Sequence, residues 1–279
     1  MKLLLSLFLF LITLTIKAQD LKYFNRSIEF NWETHGFNAI DMDQLKQLSF
    51  FKEHYDFIYE EHWAKNIGMF HSKDIDQDGW TDIIYNGWNG GEGEMLVILM
   101  NDQGQYRITQ SFIGHVVEWM DTLNGSVIKL FDYGCCGAWV DHLVTIKYCK
   151  EKEQFNIVDD IANMVVIDST LKYMNPIRFE IQNETYNLRY APDIEIGIPE
   201  GDTPFDVIDG QNISAVYYKG DQGTALASKE DSTGRVWWLV IMDKAPTGET
   251  ILYPGSDEYD NYRPIGWFSS RYLKKTNKE

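Results

Sequence analysis

The chain has 279 residues and a formal charge of −17 at pH 7, with 42 acidic against 25 basic side chains. Such a surface repels phosphate backbones and argues against nucleic acid as a partner. Apolar residues make up 44% and aromatics 14%, a composition that folds and that excludes a disordered acidic tail, and the length suits two modest domains.

Residues 1–18 read MKLLLSLFLFLITLTIKA, with Lys2 ahead of a long apolar run and Lys17 and Ala18 at its end. That is the pattern of an export signal cleaved after Ala18. Its loss removes two lysines and deepens the negative charge. The run is short for a span and no later segment approaches spanning length, so the expectation is an exported protein, periplasmic or secreted, that is not membrane-spanning after cleavage. Next, SIEFNW (27–32) alternates as a strand does. From Ile40 to Lys65 the pattern predicts one or two helices, with Asp41 or Asp43 as N-cap and Leu45, Leu48, Phe51 and Tyr55 on a buried face. IGMFHSK (67–73) then predicts a strand.

The stretch Asp74 to Asp82, DIDQDGWTD, carries carboxylates at Asp74, Asp76, Asp78 and Asp82, with Gly79 between the last two. Calcium takes six to eight hard oxygens, and alternate side chains of a tight loop converge on one ion. Gly79 permits the sharp turn, and the carbonyl of Trp80 is a fifth candidate oxygen. A helix-loop-helix hand is excluded, because its twelfth position must be a bidentate Glu and here is Tyr85. The residues after Asp82, IIYNGW, form a strand-like run. Loop followed by strand, on these residues, resembles the calcium hairpin of the FG-GAP (integrin-type, VCBS-like) repeat family. The resemblance covers about residues 67–113 and implies calcium as cofactor. A second copy of the motif is absent, since Asp41-Met42-Asp43 lacks the following Asp-Gly, so a single sheet or partial blade set is expected in place of a propeller.

Beyond the loop, apolar runs at 95–100, 106–113, 126–132, 143–149 and 155–160 are separated by turn residues, predicting an antiparallel meander. The three cysteines are Cys135, Cys136 and Cys149. In an oxidising compartment either Cys135 or Cys136 is expected to bridge Cys149, with three free thiols as the alternative.

Near MNPIRFE (174–180) the character changes. YNLRYAPD, ISAVYYKGDQGTALASKE, GRVWWLVIM and PIGWFSSRYLKK are short β runs joined by polar turns, which suggest a small barrel. Asn187, Leu188, Arg189 and Pro192, then VWWLV, then Gly266, Trp267, Tyr272 and Leu273 occur in an order that resembles the bacterial Src-homology-3-like (SH3b) family. The resemblance covers about 180–275 and implies an envelope ligand. Trp237 and Trp238 are adjacent on a strand and must point to opposite faces. With Tyr190, Trp267 and Tyr272 they are the candidate ligand-binding aromatics, one of the pair facing outward.

The fold class read from the chain is therefore mainly β, with α+β character in the N-terminal part. It combines an antiparallel meander, a calcium-loop hairpin and a small SH3-like barrel, in domains 19–173 and 174–279. No HExxH, GxSxG or Cys-His cue of a hydrolase is present, so the chain does not read as an enzyme. Water activation by the Asp-rich loop beside His71 is the remaining catalytic alternative, and Asp257, Glu258 and Asp260 read as a solvated loop. The function expected is a secreted or periplasmic calcium-stabilised binding protein for a cell-wall peptide or glycan or an envelope protein, the alternative being a structural or assembly component of the envelope.

Overall fold

The computed structural model describes residues 20–25, 28–48, 66–91, 93–123, 125–134, 140–165, 167, 171–194, 212–252 and 261–276. The expected leader, residues 49–65 of the expected helical stretch, Cys135, Cys136 and the expected acidic loop at 257–260 lie outside these residues. The protein is mainly β, and its chain forms two compact units. Ile28–Cys135 and Leu143–Asp159 make one; Asp160–Glu279, with Cys136–His142 and the first 27 residues, make the other.

The first unit holds a five-stranded antiparallel sheet in sequential order: β1 (Asn38–Ala39), β2 (Phe70–Lys73), β3 (Asp82–Trp88), β4 (Glu94–Asp102) and β5 (Gln105–Ile113). β3 and β4 lack period-2 alternation because both of their faces are covered, the condition that turns a strand into a continuous apolar run. Ile84, Leu96, Ile98 and Met100 enter one core cluster with Trp119, Ile128 and Ile146. Their neighbours Ile83, Tyr85, Val97 and Leu99 enter a second cluster with Ile40, Leu48 and Phe70. β6 (His115–Thr122) and β7 (Gly125–Asp132) pair antiparallel, and β8 (Asp141–Cys149) and β9 (Gln154–Asn163) come next. β6 has no counterpart in the sequence reading. Only Gly114 separates it from β5, so no cluster of turn residues marks the break.

Two local expectations resolve differently. The helix α1 (Met42–Gln47) is capped by Asp41, whose Oδ1 accepts the Asp43 and Gln44 amides at 2.9 and 2.8 Å while Gln44 Oε1 accepts the Asp41 amide at 2.9 Å. This is a reciprocal capping box. Residues 28–31 form no strand. The alternation of Phe30 and Trp32 serves ring packing instead: Trp32 lies edge-on to Phe30 and Phe37 and stacks on His71. Among the described residues no helix is long and apolar enough to cross a membrane.

The second unit is built on β10 (Lys172–Ile181), β11 (Thr185–Arg189), β12 (Ile213–Tyr218), β13 (Gln222–Glu230), β14 (Val236–Met242), β15 (Arg263–Ser269) and β16 (Leu273–Lys275). β13, β14 and β15 form an antiparallel meander, β10 flanks β13, and β16 flanks β10. The last residues of β9 pair parallel with β15, Ile161 opposite Arg263. The 173/174 boundary read from sequence therefore falls just inside β10 and within this unit. β11 pairs along its length with β12 and pairs with β15 only where Arg189 opposes Trp267. Among the described residues these strands do not close into a barrel. Their core gathers Phe179, Ile181, Leu188, Tyr217, Trp238, Val240 and Phe268.

Gly266 lets this core close. A Cβ there would lie 2.4 and 2.6 Å from Leu188 side-chain carbons, inside any permitted contact. Gly266→Ala should lower the stability of this unit by about 1–3 kcal/mol through overpacking, read from denaturant unfolding, and adding Leu188→Ala should give less than the sum of the two single losses.

Candidate metal centre and aromatic cleft

The DIDQDGWTD stretch is the connection of the β2–β3 hairpin, with Lys73 opposite Asp82 at its mouth. Inside it, Ile75 is buried in the core, so the loop is anchored by one apolar side chain and turns its acids away from it. Backbone amides then organise the carboxylates. Asp74 accepts the amides of Asp78 and Gly79 at 3.1 and 3.0 Å, Asp76 accepts that of Asp78 at 3.2 Å, and Asp78 accepts that of Trp80 at 2.7 Å. Gly79 has φ +95°, the left-handed conformation that only glycine adopts without strain.

Asp74, Asp76 and Asp78 each offer an oxygen, all within 4.8 Å of one another. Calcium–oxygen distances run to about 2.3–2.6 Å, so oxygens sharing one ion can be no farther apart than about 5 Å. The donor set is hard and anionic, a generic acidic cluster that could hold a metal ion. Burial, reinforced by the charges of Asp78 and Asp74, pushes the Asp76 carboxyl above its usual range. An ion between these groups would relieve that repulsion.

Asp82 stands outside the converging set and has a different task. It is 1% exposed, and its two oxygens accept the amides of Ile75 at 2.8 Å and Asn101 at 2.9 Å. Asn101 in turn holds Thr81 O and the Gly104 amide. Asp82 therefore ties the start of the loop to β4. Burial pushes its carboxyl up to about 7, against those two amide bonds. Trp80 is 44% exposed. Beside the loop a cleft of about 720 Å³ is lined by Asp76, Gln77, Tyr148, Cys149 and Val158. Tyr148 donates to Asp76 at 3.5 Å, and burial with the nearby carboxylates pushes its hydroxyl up to about 12. Cys149 carries a free thiol that approaches Glu151 Oε2 at 3.4 Å.

His71 does not face these acids. It lines a separate cleft of about 590 Å³ with Glu29, Phe30, Trp32 and Phe37, its ring stacked on Trp32 at 4.1 Å. Burial pulls it down to about 4, so it is neutral at ordinary pH. A second histidine, His142, forms a buried pair with Asp160 at 2.9 Å. Sequence reasoning passed over this pair because its members lie 18 residues apart, on β8 and β9.

In the C-terminal unit Trp237 and Trp238 do take opposite faces, yet neither is exposed, at 1% and 7%. β14 pairs with β13 and β15 at its two edges, and residues on both of its faces are buried from Trp237 to Met242. Trp238 belongs to the core, and Trp267 is 2% exposed opposite Leu239. The outward-facing member of the tryptophan pair is thus absent. Trp237 instead turns one edge toward a cleft of about 210 Å³, which Tyr272, itself 50% exposed, also lines. Tyr190 does not line it. Residues missed from sequence are Tyr186, Arg189, Arg235, Ser269 and Arg271, which line the same cleft. Compared with known proteins, the chain matches no family model, no curated protein and no solved structure.

This geometry sets two expectations. Asp82→Ala should cost about 2–4 kcal/mol, since two buried amides lose their acceptor, and the loss should appear equally in calcium and in chelator. Urea unfolding under both conditions measures it. The second expectation concerns pH. An unfolded histidine takes its proton near 6.5 and folded His71 only near 4, so the unfolded state binds more protons in that window. Its contribution is complete above about 6.5 and is lost as pH falls toward 4. His71→Phe, which keeps a ring against Trp32, should flatten the decline in melting temperature over that window relative to the wild type.

Proposed function

We propose that the protein is an exported binding protein, periplasmic or secreted, whose N-terminal hairpin loop is stabilised by calcium and whose C-terminal unit takes a cell-wall peptide or glycan or an envelope protein. The observation that carries the reading is the convergence of Asp74, Asp76 and Asp78 within 4.8 Å on a loop held by its own amides. These three residues would hold the ion, with the Trp80 carbonyl as a further oxygen; Asp82, one more ligand by its spacing in the sequence, instead holds the Ile75 and Asn101 amides. Calcium there is structural: it neutralises the loop and fixes the β2–β3 hairpin. Weak affinity is enough, because extracellular modules work at roughly 10⁻⁴–10⁻³ M and the ion is plentiful outside the cell. The leader-like residues 1–18 favour that setting.

Support for the ligand role comes from the C-terminal unit. The β13–β15 meander carries VWWLV and Gly266-Trp267 in the order of Src-homology-3-like domains, and Trp237 and Tyr272 share one cleft. We read the protein as binding and not catalytic.

Melting followed in calcium and in chelator tests the metal. At a calcium concentration of about 100 times Kd the gain should approach 2.7 kcal/mol, and Asp78→Ala should abolish it. Coincident curves with and without calcium would sink the calcium reading. Retention of the protein on purified envelope material, against an unrelated protein of equal charge, tests the ligand role.

A further inference from the structure

We propose that the cleft where β11 and β15 part is an oxyanion site that takes the carboxylate of the ligand. The inference rests on the reading that the C-terminal unit binds a ligand, and it names the chemistry of that ligand. β11 and β15 pair only where Arg189 opposes Trp267, and beyond that Tyr186 stacks on Phe268 and donates its hydroxyl to the Ser269 carbonyl. The cleft opens beside that contact, with Tyr186 and Arg189 on one side and Ser269, Arg271 and Tyr272 on the other. Arg235 and Trp237, at the start of β14, complete it.

Three arginines therefore line one small cleft of a protein that carries 42 acidic residues, and two of them, Arg189 and Arg235, act on each other through their charges. Two other arginines are paired with carboxylates, Arg178 with Asp243 and Arg107 with Glu153. Among the described residues, Arg189, Arg235 and Arg271 have no carboxylate within ion-pair distance. Arg189 is 8% exposed and its guanidinium is aimed by a hydrogen bond to Asn212 Oδ1. The neighbouring carboxylate of Asp231 is engaged by Thr233, by the Arg235 amide and by Trp237 Nε1. Asp193 acts on Arg189 only at longer range.

Unsatisfied atoms point the same way. Arg235 Nε and Ser269 Oγ are buried without a hydrogen-bond partner, and Ser269 is 8% exposed. Native proteins seldom leave such atoms unpaired, because each forfeits its hydration for nothing. Burial first, and then the charge of Arg235, hold Arg189 below its ordinary range, with Tyr186 and Asp193 offsetting part of the effect. A carboxylate answers all of these at once. It accepts two parallel bonds from a guanidinium fork, leaves lone pairs for Ser269 and the second arginine, and brings one negative charge. The rings of Tyr186, Trp237 and Tyr272 provide apolar walls for the body attached to it. A cleft of about 210 Å³ suits a planar group with a small residue behind it.

Calorimetric titration of the full chain in calcium tests the site with four probes: N-acetyl-alanyl-alanine as the free acid, the same peptide as its C-terminal amide, glucuronic acid and inorganic phosphate. The free carboxylates should bind and the amide should be weaker by at least about tenfold, the worth of a charge-assisted contact. Binding of the peptide acid alone would assign the carboxylate to a peptide terminus, and of glucuronate alone to an acidic sugar. Arg235→Gln and Ser269→Ala should each lower acid binding by about tenfold or more. Arg235→Gln should leave melting unchanged or raise it, since a repelling charge is gone; an arginine with a structural role would lower it. Equal binding of acid and amide, no binding of either acid, tighter binding of phosphate than of both acids, or an unaltered Arg235→Gln variant would overturn the proposal. If Arg235→Gln is retained on envelope material as well as the wild type, the carboxylate site fails while the binding role stands. If the acids bind and nothing is retained, the envelope reading fails and the site stands.

Discussion

Four aspartates within nine residues repel one another, and the β2–β3 hairpin exists only because something offsets that repulsion. Much of the offset is local. The amides of Asp78, Gly79 and Trp80 are turned inward onto the carboxylates of Asp74, Asp76 and Asp78, a nest of partial positive charge of the kind that holds anions. Asp82 is handled differently, by burial and by the amides of Ile75 and Asn101. Since Asn101 lies on β4 and Ile75 enters the core, this one carboxylate couples the loop to the sheet. Four residues of one type thus split into three whose oxygens converge and one that serves the architecture.

Burial sorts the aromatics of the C-terminal unit in a comparable way. Strand geometry sets Trp237 and Trp238 on opposite faces, but both faces of β14 are buried. Trp238 joins Phe179 and Phe268 in the core. Trp237 is held by Asp231 through its indole nitrogen and reaches the cleft by one edge. The opening that remains is where pairing stops, at the parting of β11 and β15. Two side-chain polar atoms that no strand satisfies, Arg235 Nε and Ser269 Oγ, belong to residues that line it. Core and cleft are two consequences of one sheet.

What the sequence settled by itself was whatever is decided within a few residues. The spacing of Asp74, Asp76 and Asp78 brings their oxygens together because a tight loop leaves alternate side chains few other directions. Asp41 and Gln44 form their capping box three residues apart. Apolar runs bounded by turn residues mark β4, β5, β7, β8 and β9. The opposite orientation of Trp237 and Trp238 comes from the pleat. Tertiary structure decided the rest, because it depends on what lies across the fold. Asp82 reads as one more ligand until Asn101 is placed against it. The alternation in SIEFNW reads as a strand until Trp32 meets His71 and Phe37. β6 is hidden by a one-residue break at Gly114. Arg189, Arg235 and Arg271 lie tens of residues apart and carry no local signal, since a charge has no period and its partner, or lack of one, is fixed only when distant strands are brought side by side.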